Sequence, residues 1–375
     1  MTYNLITEEA DLSRLTDHLA TVPRIALDLE AAGFHRYSDQ VCLVQLSTPR
    51  ETVLLDPFSL DLGPALRPVL EDPDVEVVMH GADYDIRLLD RDLSIHLKGL
   101  FDTQIAASLL GADAIGLANL LDKHLGIKLS KKHQRADWAR RPLPEDMLDY
   151  AAADTRYLLE LGTILASGLR EQGREGWAKE EFELLEEIRW EEDEADPVTR
   201  VKGARDLSPR KVSELRAALK WRDRVARDKD RAPFRVAGDS VLLAVVLERP
   251  SSVDALGEMK GMSPRLARQT GGELLAALRE VDALPDGAHT PYPRPSRDGG
   301  GRPGPEEEAL ANRIRELRTR VAESMELDRG VLLSNAQIQE IVRAAPSSAS
   351  ELQAVPGLRR WQAGILGDRL LTILT

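Results

Sequence analysis

The 375-residue chain contains a single cysteine, Cys42, so no internal disulfide can form. Cys42 sits in the apolar run VCLVQL, where a buried thiol behaves as a small hydrophobe. Such a chain suits a reducing compartment, and a cytoplasmic location is expected. Long hydrophobic stretches are missing too: no run approaches the roughly 18 apolar residues of a membrane-spanning helix. The opening MTYNLITEEADLSRL has no basic patch followed by an apolar segment, so no secretory leader is expected. There is no GxxxxGK[ST] phosphate loop, which argues against a nucleotide-driven helicase. An excess of positive charge is also lacking. With 50 Lys and Arg against 63 Asp and Glu, the net charge of −13 has the wrong sign for a nucleic-acid partner. The distribution softens that objection. Residues 171–200 hold twelve acids against four bases, whereas residues 201–282 hold seventeen bases against twelve acids. A basic module thus follows an acidic helix.

What is present is a set of four carboxylates and a tyrosine: Asp28 and Glu30 in IALDLEAAG, Asp85 in HGADYDIRLL, and Tyr150 with Asp154 in DYAAADTRYLL. Asp28 and Glu30 lie two apart in an apolar, strand-like run that begins at Arg24. Side chains on a strand alternate faces, so both carboxylates point the same way, roughly 7 Å apart along the strand. Tyr150 and Asp154 lie four apart in an alanine-rich helical pattern and share one face. Phosphodiester hydrolysis builds negative charge on the attacking, non-bridging and leaving oxygens. Two divalent cations about 3.5 to 4 Å apart can clamp both ends of that displacement. Magnesium and manganese take hard oxygen ligands, so carboxylates suffice and His80, His124 and His133 are not required. Asp83, two residues before Asp85, is either a helix cap or the ligand in its place. A phenol with a pKa near 10 is a poor base at neutral pH. Tyr150 is therefore expected to hold and aim the attacking water.

The fold class expected is an α/β domain, with a mixed sheet whose first three strands are antiparallel, followed by two small all-α domains. RIALDLEAA, VCLVQLST and ETVLLDP read as three strands in a meander, then strand VEVVMH alternates with helices. The expected boundaries are 1–200 for the first domain, including an acidic connecting helix at 171–196, and 201–284 for the first helical domain. A disordered Pro/Gly linker at 285–305 and a second helical domain at 306–375 complete the chain. The two helical domains repeat one layout: PSSVDAL in the first stands beside PSSASEL in the second, and MKGMSPR beside VPGLRRW.

ALDLE, HGADYD and YAAAD are similar to the three exonuclease motifs of the DEDD superfamily, and LGIKLSKKHQRADWARRPLPEDMLDYAAADTRYLL resembles the ribonuclease D family along its whole length. The tyrosine four residues before the last aspartate matches the tyrosine subtype; in the histidine subtype a His stands five before, where this chain has Asp149. The two helical units resemble HRDC domains, and the resemblance as a whole implies a ribonuclease H-like sheet. It also implies a metal-dependent 3′-to-5′ exoribonuclease that trims structured RNA, especially tRNA precursors with 3′ extensions, and releases nucleoside 5′-monophosphates. Carried over position by position, Asp28, Glu30 and Asp154 would hold the cation that activates water. Asp28 would bridge to a second cation held by Asp85, both ions being Mg²⁺ or Mn²⁺. One departure is AAGFHRYSD after Glu30, where many relatives have an aromatic or polar residue directly after the glutamate.

In KLSKKHQRADWARR, Lys128, Lys131, Lys132, Arg135, Arg140 and Arg141 face Asp137 alone, a composition suited to a phosphate track. Lys131, Lys132 and Arg135 are the candidate RNA contacts, and Trp138 is expected to be a packing anchor. The first helical domain, the more basic, is the expected RNA binder, with the second capping or positioning it. A DNA 3′-to-5′ exonuclease is the alternative within enzymes, because it uses the same metal site. A catalytically silent RNA-binding scaffold fits less well, since all four carboxylates and the tyrosine are retained. No membrane partner is expected, and the modular layout favours a monomer.

Overall fold

The computed structural model describes residues 3–293 and 304–374. Six strands form one mixed sheet in the order β1-β4-β3-β2-β5-β6. They are β1 Asn4–Ile6, β2 Arg24–Ala31, β3 Val41–Ser47, β4 Thr52–Leu55, β5 Glu76–Met79 and β6 Leu100–Asp102. The expected antiparallel meander is β2–β3–β4. Two three-residue strands add to it: β1 pairs parallel to β4, and β6 parallel to β5. The carboxylate-bearing strand is thus second in the chain and interior to the sheet, held by β3 on one side and β5 on the other.

Alternation in RIALDLEA sends Ile25, Leu27 and Leu29 into the core, leaving Asp28 and Glu30 on the opposite face. Asp28 stands across from Gln45 and Glu30 across from Leu43, and the register slips between Glu30 and Ala31. A bulge there bends the strand and re-aims the last carboxylate.

Eight helices surround the sheet: α1 Glu9–Leu19, α2 Leu62–Leu70, α3 Asp83–Leu93, α4 Thr103–Leu109, α5 Leu117–Leu125, α6 Glu145–Arg156, α7 Leu158–Glu171 and α8 Glu175–Glu186. Helix α6 covers the carboxylate face. Its Ala151 and Ala152 are fully buried, in a small core shared with Leu43, Leu54 and Trp138. Residues this small let the helix axis come close to the sheet, and Thr155 pins the helix end to Ser47 through a 2.8 Å hydroxyl contact.

The acidic connecting helix expected at 171–196 is shorter: α7 stops at Glu171 and α8 at Glu186. Beyond α8, Arg189 turns back and donates to the Glu186 and Ile188 carbonyls at 2.7 Å each. The following Glu191 to Glu194 are all exposed, so consecutive like charges have no apolar face to fold against.

The first helical domain opens with α9, Pro209–Asp228, and has a core of its own around Leu215, Trp221, Leu242 and Leu274. The linker expected at 285–305 is in part ordered. Arg216 donates to the carbonyls of Thr290 and Pro291 at 2.6 and 2.9 Å, and Tyr292 packs against this domain's core. The remainder of that linker, 294–303, lies outside the described residues.

The second helical domain docks on the catalytic domain, with Ile314, Ile338 and Leu366 in the core that is continuous with the sheet. Trp361 stacks on Trp177 of α8 at 4.8 Å, Arg359 pairs with Glu181 at 3.0 Å, and Arg360 pairs with Glu180 at 3.3 Å. The acidic α8 supplies the counter-charges for this seat.

Candidate active site

Three of the candidate residues converge closely. Asp28 and Glu30 from β2 and Asp154 from α6 each offer a carboxylate oxygen, and these oxygens lie within 4.8 Å of one another. Burial pushes the Asp28 carboxyl up to about 7. Burial, followed by the Asp28 charge, pushes Asp154 up to about 8. Glu30 is held well above its ordinary range by burial and by Asp28, Asp154 and Asp85.

Asp85 is outside the three-oxygen cluster, in the first turn of α3, but it shares its field. Burial and the Asp28 charge hold its carboxyl well above the ordinary range. The turn that presents it is fixed from β6: buried Asp102 accepts from the backbone N–H groups of Gly81 and Ala82 at 3.1 and 2.8 Å, and from Gln104 and Ile105 at 2.7 and 3.1 Å. Asp83, the alternative ligand, is exposed and pairs with Arg87 at 3.3 Å.

Among the described residues, no Lys or Arg forms an ion pair with any of the four carboxylates. Like charges crowded in a recess without a counter-ion are suited to divalent cations, and an all-oxygen donor set matches hard ones. The residues present therefore fit the metal requirement.

Tyr150 donates its hydroxyl to Asp154, and burial with the charges of Asp154, Glu30 and Asp28 drives its pKa up. A phenol raised further is a donor, not a base. Its ring is wedged between His133, at 5.9 Å, and Trp138, at 6.1 Å. Trp138 is 1% exposed, a packing anchor as expected.

Asp28, Tyr150 and Asp154 line a cavity of about 300 Å³ together with His80, Asn119, Ser130, Lys131 and Gln134. Asn119, Ser130 and Gln134 went unnoticed in the sequence because lone amides and hydroxyls carry no spacing signal; only their nearness to the basic stretch hinted at them. His80 bonds Thr103 at 2.9 Å through Nδ1, and burial lowers its pKa, so it faces the cavity as a neutral ring.

The basic stretch divides by role. Lys131 lines the cavity. Lys132 is paired with Asp146 at 2.6 Å, and Arg135 lies over the Phe34 ring at 5.5 Å. Arg141, expected on the phosphate track, is instead a structural residue. It grips Asp56 at 2.7 and 2.8 Å and donates to the carbonyls of Cys42 and Trp138.

Residues 3–170 match the profile of a 3′-5′ exonuclease, and residues 214–278 and 307–374 each match the HRDC domain. Ribonuclease D from Xanthomonas oryzae pv. oryzae is 30% identical over 366 residues, covering 96% of each chain. Ribonuclease D from Gluconacetobacter diazotrophicus is 31% identical, covering 98% of this chain and 92% of that one. The chain belongs to the ribonuclease D family. Among solved structures, Escherichia coli RNase D, described as an exoribonuclease involved in structured RNA processing, superposes with a TM-score of 0.72 at 27% identity. That match covers 100% of this chain and 99% of the other. As a ribonuclease D, the protein is a metal-dependent 3′-to-5′ exoribonuclease. Among the described residues, no helix is long and apolar enough to cross a membrane.

Proposed function

We propose that this ribonuclease D trims the 3′ extensions of structured RNA, tRNA precursors above all, releasing nucleoside 5′-monophosphates, and that it works as a cytoplasmic monomer. The observation that carries the reading is the convergence of Asp28, Glu30 and Asp154 to within 4.8 Å, with Asp85 in the same field. In this reading Asp28, Glu30 and Asp154 would hold one divalent cation, and Asp85 with Asp28 would hold a second, both being Mg²⁺ or Mn²⁺. When bound, such cations neutralise the charge of the displacement and make hydroxide available near neutral pH.

The chain's own residues do the rest. The Asp154 carboxylate fixes the Tyr150 hydroxyl, which aims the attacking water in line with the scissile phosphorus. Packing of the Tyr150 ring between His133 and Trp138 holds that aim. Lys131, exposed at the cavity wall, places a positive charge beside the entering phosphate. His80, neutral and bonded to Thr103, offers a ring nitrogen without adding charge.

The test is digestion of a 3′-extended tRNA precursor and of matched RNA and DNA oligonucleotides with Mg²⁺, with Mn²⁺ and with EDTA. RNA trimmed from the 3′ end to 5′-monophosphates in either metal, with no turnover in EDTA, is the expected result. Activity that persists in EDTA overturns the metal assignment, and equal or faster digestion of DNA overturns the RNA preference. Asp28→Asn is expected to abolish turnover while RNA binding persists.

A further inference from the structure

We propose that Phe234 of the first HRDC domain is a base-stacking platform for the RNA strand as it leaves the catalytic cavity. This rests on the exoribonuclease reading and gives it a defined surface outside the metal site. Phe234 is 51% exposed at the start of the short helix Pro233–Val236. Its ring centroid lies 5.4 Å from that of Phe34, four residues beyond Glu30 in the loop after β2. The Arg235 guanidinium sits 4.6 Å from the centre of the Phe34 ring and 5.9 Å from that of Phe234, and Arg135 of the catalytic domain approaches Phe34 at 5.5 Å. Two domains thus build one patch from two phenyl rings and two guanidiniums. Its backbone is held as well: Arg235 Nε donates to the Phe34 carbonyl at 2.6 Å, Ala232 N to the His35 carbonyl at 3.1 Å, and His35 Nε2 contacts the Arg135 carbonyl at 2.9 Å.

The patch also keeps its positive charge. Arg210, Arg216, Arg222, Arg224, Arg227 and Arg249 of the first HRDC domain each hold a carboxylate, so their charge is neutralised on the spot. Arg135 and Arg235 have no carboxylate partner among the described residues. Unpaired guanidiniums beside an exposed aromatic face are what a single strand uses, phosphate on the charge and base on the ring.

Position supplies the path. Lys131 and Gln134 line the cavity that holds Asp28, Tyr150 and Asp154, and Arg135 is the next residue along. A strand whose 3′ end occupies that cavity passes Arg135 to reach the two rings. Phe34 is the better covered and backs the platform, while Phe234 keeps a face free.

The experiment is steady-state digestion by the full chain with Mg²⁺, comparing a dinucleotide with single-stranded RNA of about ten nucleotides. Phe234→Ala is expected to lower kcat/KM on the longer RNA by roughly tenfold, through KM, and to leave kcat and the dinucleotide reaction unchanged. Phe234→Trp is expected to restore the longer RNA; Phe234→Leu, which keeps the apolar contact with Phe34 but has no π face, is expected to behave as the alanine variant. Rescue by leucine, an equal loss on the dinucleotide, or wild-type kinetics of Phe234→Ala on the longer RNA each overturn the platform. A wild-type protein that digests neither RNA overturns the exoribonuclease reading itself, a separate failure visible before any variant is made.

Discussion

The two HRDC domains repeat one small fold, but they are joined to the catalytic domain in opposite ways. The first keeps a core of its own and meets the loop after β2 through polar contacts together with Tyr37 and the Phe34–Phe234 ring pair. Arg36 holds Asp137 with two bonds of 3.0 and 2.8 Å and reaches Asp230 of the HRDC domain at 3.1 Å. Tyr37 donates to Asp223 at 2.9 Å and receives Arg227. The second domain shares the catalytic domain's apolar core and seats a tryptophan pair. A polar, half-exposed joint transmits position at little cost in stability, whereas an apolar joint becomes part of the fold. The first should report through catalysis and the second through unfolding.

Breaking the apolar joint is expected to give the largest effect. Trp361→Ala removes a side chain only 6% exposed, its stack on Trp177 and its 2.9 Å bond to Glu181. Denaturant unfolding should show a loss of about 3 to 5 kcal/mol, with kcat/KM on short RNA near normal while the protein stays folded.

Next comes a stability change that neither joint carries. The folded pKa values of Asp28 and Asp154, about 7 and about 8, are raised above an ordinary 3.8, so between these limits the metal-free folded state binds more protons than the unfolded chain. Their contribution is fully present below about pH 4 and is lost as pH rises through the folded values. The metal-free melting temperature should therefore fall between about pH 6 and pH 8.5, and Mn²⁺ should raise it more at the higher pH, because cations displace those protons. Calorimetry with and without Mn²⁺ checks the sign; a rise in the metal-free protein would refute it.

Arg36→Ala sharpens the contrast from the other side. The guanidinium is about one-third exposed, so unfolding should shift by only about 1 kcal/mol. KM for RNA should nonetheless rise several-fold, because the loops bearing Phe34 and Arg135 lose their tie. The smallest effect belongs to Arg360→Ala, whose side chain is 76% exposed in its pair with Glu180; about 0.5 kcal/mol or less is expected, fading with added salt.

Much of the site was legible in the sequence because its signals are local. A spacing of two on a strand aligned Asp28 with Glu30, and a spacing of four on a helix aligned Tyr150 with Asp154, whatever the tertiary fold. β1 and β6 escaped notice because three residues are too few to show a period. The seat of the second HRDC domain was hidden for another reason: Trp177 and Trp361 are 184 positions apart, and the acids of α8 look like a solvated face until their basic partners are placed beside them. Arg141 misled in the same way, since a basic run does not disclose which member turns inward to Asp56.

On the proposed reading, Asp28, Glu30, Asp85 and Asp154 together hold two divalent cations. Anomalous diffraction from crystals grown with Mn²⁺ tests it most directly. The expected result is two peaks, one among Asp28, Glu30 and Asp154 and one between Asp28 and Asp85, both lost in the Asp28→Asn variant. A map with no manganese at these oxygens, or one unchanged by that substitution, would contradict it.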